Sequence, residues 1–177
     1  MGYGGRSLER RLQRGGVNGS MSRVFHNRPK RLAVVFDRYQ PPLYFVTICT
    51  YERKAILNDP DIHQVLCNYA RHAEMRQCVI GRYVIMPDHI HLFVRICGNL
   101  SLSQFVRLLK QRLTLCLGQQ ALRGPYWQPG FFDHLLRSAE SYSQKWTYVS
   151  QNPVRAGLVV NPEKWPYQGE IVRIDRV

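Results

Sequence analysis

Hydrophobic and polar positions along the chain alternate between a period of two and a period near 3.6. Leu43-Tyr-Phe-Val-Thr-Ile-Cys-Thr50 follows Pro41-Pro42 and is rich in β-branched and aromatic residues, which predicts a first strand. Asp59 then stands as a cap before Pro60, a residue suited to the first position of a helix. Ile62, Val65, Leu66, Tyr69 and Ala73 recur behind it at helical spacing. Val79–Ile85 predicts a second strand, Met86-Pro-Asp88 a turn, and His89–Ile96 a third strand. Ser101-Leu-Ser-Gln104 has the form of a capping box. The helix it opens carries Phe105, Val106, Leu108, Leu109, Leu113 and Cys116 on one stripe and ends near Gly118. A loop holds Gly124-Pro-Tyr-Trp-Gln-Pro-Gly130, Phe131–Arg137 predicts a fourth strand, and Glu140–Gln151 a final helix.

The resulting order is β-α-β-β-α-β-α. Its first six elements spell the ferredoxin-like arrangement, an α+β fold with a mostly antiparallel sheet, helices on one face, and here an added C-terminal helix. No internal repeat and no second domain is visible, so residues 32–177 are expected to form a single domain.

Charge changes that picture at one end. The chain carries 25 Lys and Arg against 12 Asp and Glu, a formal +13. Residues 1–31 hold eight of those cations against Glu9 alone, together with Gly2, Gly4, Gly5, Gly15, Gly16 and Gly19. That composition is expected to be a basic flexible N-terminal tail, and Met21 offers a second candidate start within it. The remainder is basic in its own right, which points to a polyanionic partner such as nucleic acid. The five cysteines stand singly, their number is odd, and no CxxC occurs, which fits reduced thiols in a cytoplasmic protein. No apolar run approaches the roughly 18 residues of a membrane span, so no membrane partner is expected. The N-terminus lacks an apolar segment of the secretory kind.

Candidate chemistry is concentrated in two places. In the third strand Ile90, Leu92 and Val94 alternate with His89, His91 and Phe93, so the aliphatic set faces the core and both imidazoles share the opposite face. Neutral imidazoles there suit a divalent metal, or they are two ordinary histidines on a half-exposed strand. In the final helix Tyr142, Trp146 and Val149 form the apolar stripe, and Tyr148 lies off it, one turn before Asn152. Asn152 precedes Pro153, which biases it out of helical geometry and places it in a fraying last turn.

Tyr83-Val-Ile-Met-Pro-Asp-His-Ile-His-Leu-Phe-Val94 together with Tyr148-Val-Ser-Gln-Asn-Pro-Val-Arg-Ala-Gly-Leu-Val159 resembles the single-tyrosine HUH transposases, and within them the REP-associated tyrosine branch. Trp127-Gln-Pro-Gly-Phe-Phe-Asp-His134 with Arg137 resembles that branch as well, and the similarity covers roughly residues 40–168. The resemblance implies an HUH domain whose added helix carries the nucleophile Tyr148, with His89, His91 and Asn152 as ligands of Mg²⁺ or Mn²⁺. It implies an enzyme that cleaves and rejoins single-stranded DNA near hairpin or palindromic repeats through a 5′-phosphotyrosine, as a monomer or homodimer. Insertion-sequence relatives commonly have glutamine at the Asn152 position.

Other residues admit two readings. His134 either approaches the DNA or holds a strand corner. Arg107, Lys110 and Arg112 either meet phosphates or form a solvated helix face. Arg155 either meets DNA or serves the last carbonyls of its helix. Trp127 either stacks an unpaired base or packs under its loop. Asp88 either orients a histidine or only forms the turn. Two rival functions remain: a non-catalytic DNA-binding protein of the same descent, and an RNA-binding module, since β-α-β-β-α-β also describes the RRM, whose aromatic RNP patterns are missing here.

The basic tail yields a direct expectation. Deleting residues 1–20 removes Arg6, Arg10, Arg11 and Arg14. DNA binding should weaken, and the log–log salt slope should fall by about 0.7 for each single-strand phosphate that is no longer neutralised. Titrations of the full-length and truncated proteins across salt concentrations check it, and identical slopes would refute it.

Overall fold

The structure, a computed structural model, describes residues 41–75, 77–120 and 122–174. The expected tail at 1–31 lies outside the described residues. Strands β1 (Leu43–Cys49), β2 (Cys78–Met86), β3 (His89–Ile96), β4 (Phe132–Leu136) and β5 (Gln168–Glu170) form one sheet in the order β4-β1-β3-β2-β5. All neighbouring pairs are antiparallel. The first four strands thus take the ferredoxin-like order that the pattern predicts. β5 is an addition at the β2 edge; three residues with one glycine, Gln168-Gly-Glu170, carry no alternation that a sequence reading detects.

Helix α1 (Pro60–Glu74) starts where expected: the Asp59 carboxylate accepts from the backbone N–H groups of Asp61 and Ile62. Helix α2 (Leu102–Gln119) opens with the Ser101–Gln104 capping box. Both helices lie on one face of the sheet. Ile62, Leu66, Phe105, Leu109 and Leu113 close there over Val46, Ile48, Ile90, Leu92 and Val94, all of them buried. None of the described helices is long and apolar enough to cross a membrane.

The added C-terminal helix takes the other face. Helix α3 (Ala139–Ser150) packs Tyr142, Trp146 and Val149 against Val84, Phe93 and Leu136, a second apolar cluster on the face that carries the histidines. The Phe93 and Tyr142 rings meet with centroids 4.5 Å apart. α3 therefore roofs part of that face and leaves the His89–His91 end beside it.

α3 also ends sooner than expected. Pro153 has no N–H to give the Val149 carbonyl, which accepts from the Gln151 N–H instead. The chain then opens a separate short helix, α4 (Asn152–Arg155), with Pro153 in its first turn. Asn152 thus begins a new helix rather than fraying at the end of the old one.

The turn before β3 is pinned from outside. The fully buried Thr50 donates its backbone N–H to the Asp88 carbonyl at 2.9 Å, and Ile56 and Leu57 both donate to the Pro87 carbonyl. The Thr50 hydroxyl lies 3.0 Å from the same Asp88 carbonyl and 2.8 Å from that of Lys54. Thr50→Val keeps the shape and removes that hydroxyl, so urea unfolding should show a loss of about 1–2 kcal/mol. An unchanged midpoint would mean that the backbone bonds alone hold the turn.

Candidate functional site

Register and alternation place the site. β3 pairs with β1 so that His91 stands opposite Thr47 and His89 opposite Cys49. The period of two sends Ile90 and Leu92 into the core below α1 and α2, and both imidazoles to the other face, as the pattern predicts. The two Nε2 atoms converge to 3.1 Å. Each ring is held from behind. His89 Nδ1 lies 2.6 Å from the Asp88 carboxylate, and His91 Nδ1 lies 2.9 Å from the Thr47 hydroxyl. Of the two readings of Asp88, orienting a histidine is the one the geometry bears out.

These contacts restrict the tautomers. His89 Nδ1 faces two partners, the accepting Asp88 carboxylate at 2.6 Å and the donating Arg53 Nη2 at 3.3 Å; the shorter contact favours a proton on Nδ1, which turns a bare Nε2 lone pair to the neighbouring ring. Thr47 can donate to His91 Nδ1 or accept from it. In the first case His91 Nε2–H bonds to His89 Nε2 and the pair satisfies itself. In the second, two lone pairs face each other and call for a cation. In that second arrangement the two nitrogens form a donor pair suited to a divalent metal, each ring oriented by a second side chain.

Burial favours the neutral form of each ring, and His91 stays neutral even where His89 takes up a proton. Burial pushes His91 down to about 3, assisted by the positive charge of His89, Arg53, Lys145 and Arg155. Burial also lowers His89, and Arg53 adds to the effect, while the bond and charge of Asp88 oppose it. Neutral imidazole is the form that binds metals.

Arg53 had no signal in the sequence. It sits in a 3-10 turn, Tyr51–Arg53, where Glu52 and Arg53 hold φ of 52° and 58°, the left-handed region that residues with a Cβ seldom adopt. That backbone brings the Arg53 Nε to 2.6 Å from Asp88 Oδ2 and its Nη1 to 3.1 Å from Cys49 Sγ. Thr47 was likewise missed. It is a polar residue in an apolar strand, but only the pairing shows what it faces.

The second half of the site comes from α3 and α4. Tyr148 projects from α3 off the apolar stripe and is 61% exposed. Arg155 links it to Asn152: its guanidinium lies 4.1 Å from the Tyr148 ring centroid, and its Nη2 donates to the Tyr148 carbonyl at 2.6 Å and to Asn152 Oδ1. Arg155 thus serves a carbonyl at the end of α3, one of its two expected roles. Lys145 lies with its Nζ 5.3 Å from the Phe45 ring, which stacks on His91 at 5.2 Å. Lys145 and Arg155 both act on His91, so these helices carry positive charge to the histidine pair.

The remaining candidates are dispersed. His134 is exposed on β4, opposite Phe45 and hence on the histidine face. Arg107 and Arg112 are exposed on α2, whose buried side packs on the opposite face of the sheet. Lys110 is not free on that helix: its Nζ donates to the Gln128 and Gly130 carbonyls at 2.9 and 2.6 Å. Trp127 bridges to Thr50 and donates its indole N–H to Thr114 Oγ1 at 2.9 Å, which is the packing role of its two readings.

Comparison with known proteins identifies the family and the fold. A family model described as IS200-like transposase matches residues 41–152, a span that includes the histidine pair and Tyr148 and ends on Asn152. A REP-associated tyrosine transposase of Escherichia coli (strain K12) is 29% identical over 89 residues, covering 50% of this chain and 52% of that protein. The match thus spans about half the length of that relative. A protein of Haemophilus influenzae named as a REP-associated tyrosine transposase is 31% identical over 137 residues, covering 71% of this chain and 77% of its own. The solved structure of a REP-associated tyrosine transposase bound to a REP hairpin aligns with a TM-score of 0.61 and 24% identity, over 73% of this chain and 76% of that one, and shares the fold.

The neutral His91 makes a testable contribution to stability. Its folded value of about 3 lies below the ordinary value near 6.5, so the unfolded chain takes up the proton first as pH falls. The contribution is complete above about pH 6.5 and is lost progressively toward pH 3. Urea midpoints measured from pH 7 to pH 4 should fall in the wild type, and fall less in His91→Gln. Parallel curves would show that His91 does not titrate over this range.

Proposed function

The chain belongs to the IS200-like transposase family, and from that premise we propose that it is a REP-associated tyrosine transposase that cleaves and rejoins single-stranded DNA near a hairpin. Tyr148 is the nucleophile, and His89, His91 and Asn152 hold Mg²⁺ or Mn²⁺. The observation that carries this reading is the convergence of two oriented, neutral histidine Nε2 atoms at 3.1 Å, on the sheet face reached by the helices that carry Tyr148 and Asn152.

The reaction follows from the residues. The Tyr148 Oη attacks the scissile phosphorus and loses its proton. A P–O bond forms to the tyrosine, the P–O3′ bond breaks, and the departing 3′-oxygen takes up a proton. The DNA 5′ end stays on Tyr148 as a phosphotyrosine, which preserves the energy of the diester. A 3′-hydroxyl attacking the same phosphorus reverses the step and joins strands without ATP. A divalent ion at the histidine pair would withdraw charge from the phosphate oxygens as it builds up. A phenol with an ordinary value near 10 is a weak nucleophile at neutral pH, so placement carries much of the work. Arg53, Lys145 and Arg155 give the site a positive field suited to a phosphate. A tyrosine on a rigid helix needs a backbone it can reach, which favours an unpaired strand.

The RNA-binding reading fares poorly against the packing. An RRM presents its sheet face to RNA, whereas α3 buries Phe93 and Val84 on the corresponding surface here. The non-catalytic reading is separated by chemistry. With a suicide oligonucleotide carrying a hairpin and an unpaired flank, the wild type should give a covalent adduct on a denaturing gel. Tyr148→Phe should abolish the adduct and leave oligonucleotide affinity within about two-fold, since only one hydroxyl is removed. His89→Ala and His91→Ala should each abolish metal-dependent cleavage while circular dichroism stays unchanged. An undiminished adduct in Tyr148→Phe would sink the nucleophile assignment, and Mn²⁺ binding that survived the double histidine change would move the metal elsewhere.

A further inference from the structure

We propose that Arg155 is a positioning residue, which fixes the Tyr148 ring and the Asn152 amide in one geometry across the break between α3 and α4. This inference rests on the reading of Tyr148 as the nucleophile.

The break creates the need. Pro153 ends the α3 hydrogen-bond ladder, so no continuous helix fixes Asn152 relative to Tyr148. Tyr148 is 61% exposed, and an exposed aromatic side chain on a helix hops between rotamers in picoseconds to nanoseconds. A nucleophile that must approach phosphorus in line cannot be left with that freedom.

Arg155 answers both problems with one group. Its guanidinium plane packs 4.1 Å from the Tyr148 ring centroid, a cation–π distance. Its Nη2 donates to the Tyr148 carbonyl at 2.6 Å and so ties α4 to the last turn of α3. The same nitrogen donates to Asn152 Oδ1. A guanidinium has no acceptor, so this bond sets which way the amide points, and the oxygen keeps a second lone pair. Both hydrogen bonds come from one nitrogen while the rest of the planar guanidinium lies over the ring, and a lysine ammonium has no second part to cover the ring while its nitrogen serves both oxygens. The backbone helps to hold the fork in place: Arg155 N–H donates to the Gln151 carbonyl at 2.9 Å.

The competing role for Arg155 is direct capture of a DNA phosphate, and the two separate cleanly. Arg155→Ala and Arg155→Lys are compared with wild type in two measurements. The first is the single-turnover rate of adduct formation at saturating hairpin oligonucleotide, alongside the oligonucleotide Kd across salt concentrations. Both variants should slow adduct formation about ten-fold or more, because misplacement of reacting groups is costly. Kd should stay within about two-fold, and lysine should not restore the rate. A phosphate contact predicts the opposite: lysine rescues, and alanine weakens binding with a salt slope lower by about 0.7. Either of those results would overturn the proposal.

The second measurement uses no DNA. 3-Fluorotyrosine is placed at position 148, and its ¹⁹F resonance is followed in the wild type and in both variants. The resonance should be displaced from the free-tyrosine position in the wild type and move toward it when Arg155 is replaced. An unmoved resonance would refute the packing on Tyr148. Failure of the parent reading looks different: the wild type would form no adduct, while the ¹⁹F displacement would still report what Arg155 does.

Discussion

The register of β3 against β1 is the constraint on which the rest of the site depends. Side chains on a strand alternate strictly, so a slip of one residue would drive His89 and His91 into the core and bring Ile90 and Leu92 out beside α3. The fully buried aliphatic set under α1 and α2 makes that slip expensive. With the register fixed, Thr47 meets His91 and Cys49 meets His89. Hydrophobic burial on one face of the sheet thus determines the polar geometry on the other. α3 completes the arrangement by covering Phe93 on that face and by bringing Lys145 near the ring of Phe45, which stacks on His91.

The connection into β3 is held as firmly as the strand. Thr50, Ile56 and Leu57 donate to the carbonyls of Asp88 and Pro87, and this fixes the residue whose carboxylate orients His89. The Tyr51–Arg53 turn pays for its geometry with two residues in the left-handed region, a strain of roughly 1–3 kcal/mol each. The ion pair of Arg53 with Asp88 at 2.6 Å is what that strained turn delivers. Backbone strain concentrated beside a candidate site, with a specific contact as its product, is the pattern expected of a preorganised centre rather than of a casual loop.

Much of this was legible in the sequence, for identifiable reasons. β-Branched and aromatic composition exposed β1, alternation exposed β3, helical spacing exposed α1 and α2, and the caps at Asp59 and Ser101 marked where those helices start. His89 and His91 stood out because they alternate with the aliphatic set of their strand, and Tyr148 because it lies off the apolar stripe of its helix. What stayed hidden depends on pairing or on unusual backbone. Thr47 acquires meaning only from the strand opposite it. Arg53 reaches Asp88 through a conformation that no residue preference announces. β5 is too short to show a period, and the roofing of the second face by α3 follows from tertiary packing. The α3–α4 break had a signal in Pro153, yet the proline alone does not say whether a helix frays there or begins anew.

The charges around the histidines act in two ways at once. Burial lowers the proton affinity of His91, Arg53, Lys145 and Arg155 add to the effect, and one ring nitrogen keeps its lone pair available. The same field opposes any other cation at that point, including the divalent ion that the proposed reaction uses. A phosphate brought between these side chains offsets the field and lowers that cost. Binding free energies are reciprocal, so an ion at the histidine pair must then favour the phosphate by the same factor. On the proposed reading, ion and DNA therefore bind with positive coupling. Under it the basic residues would gather the strand, the strand would permit the ion, and the reactive arrangement would be complete only with a phosphate beside Tyr148.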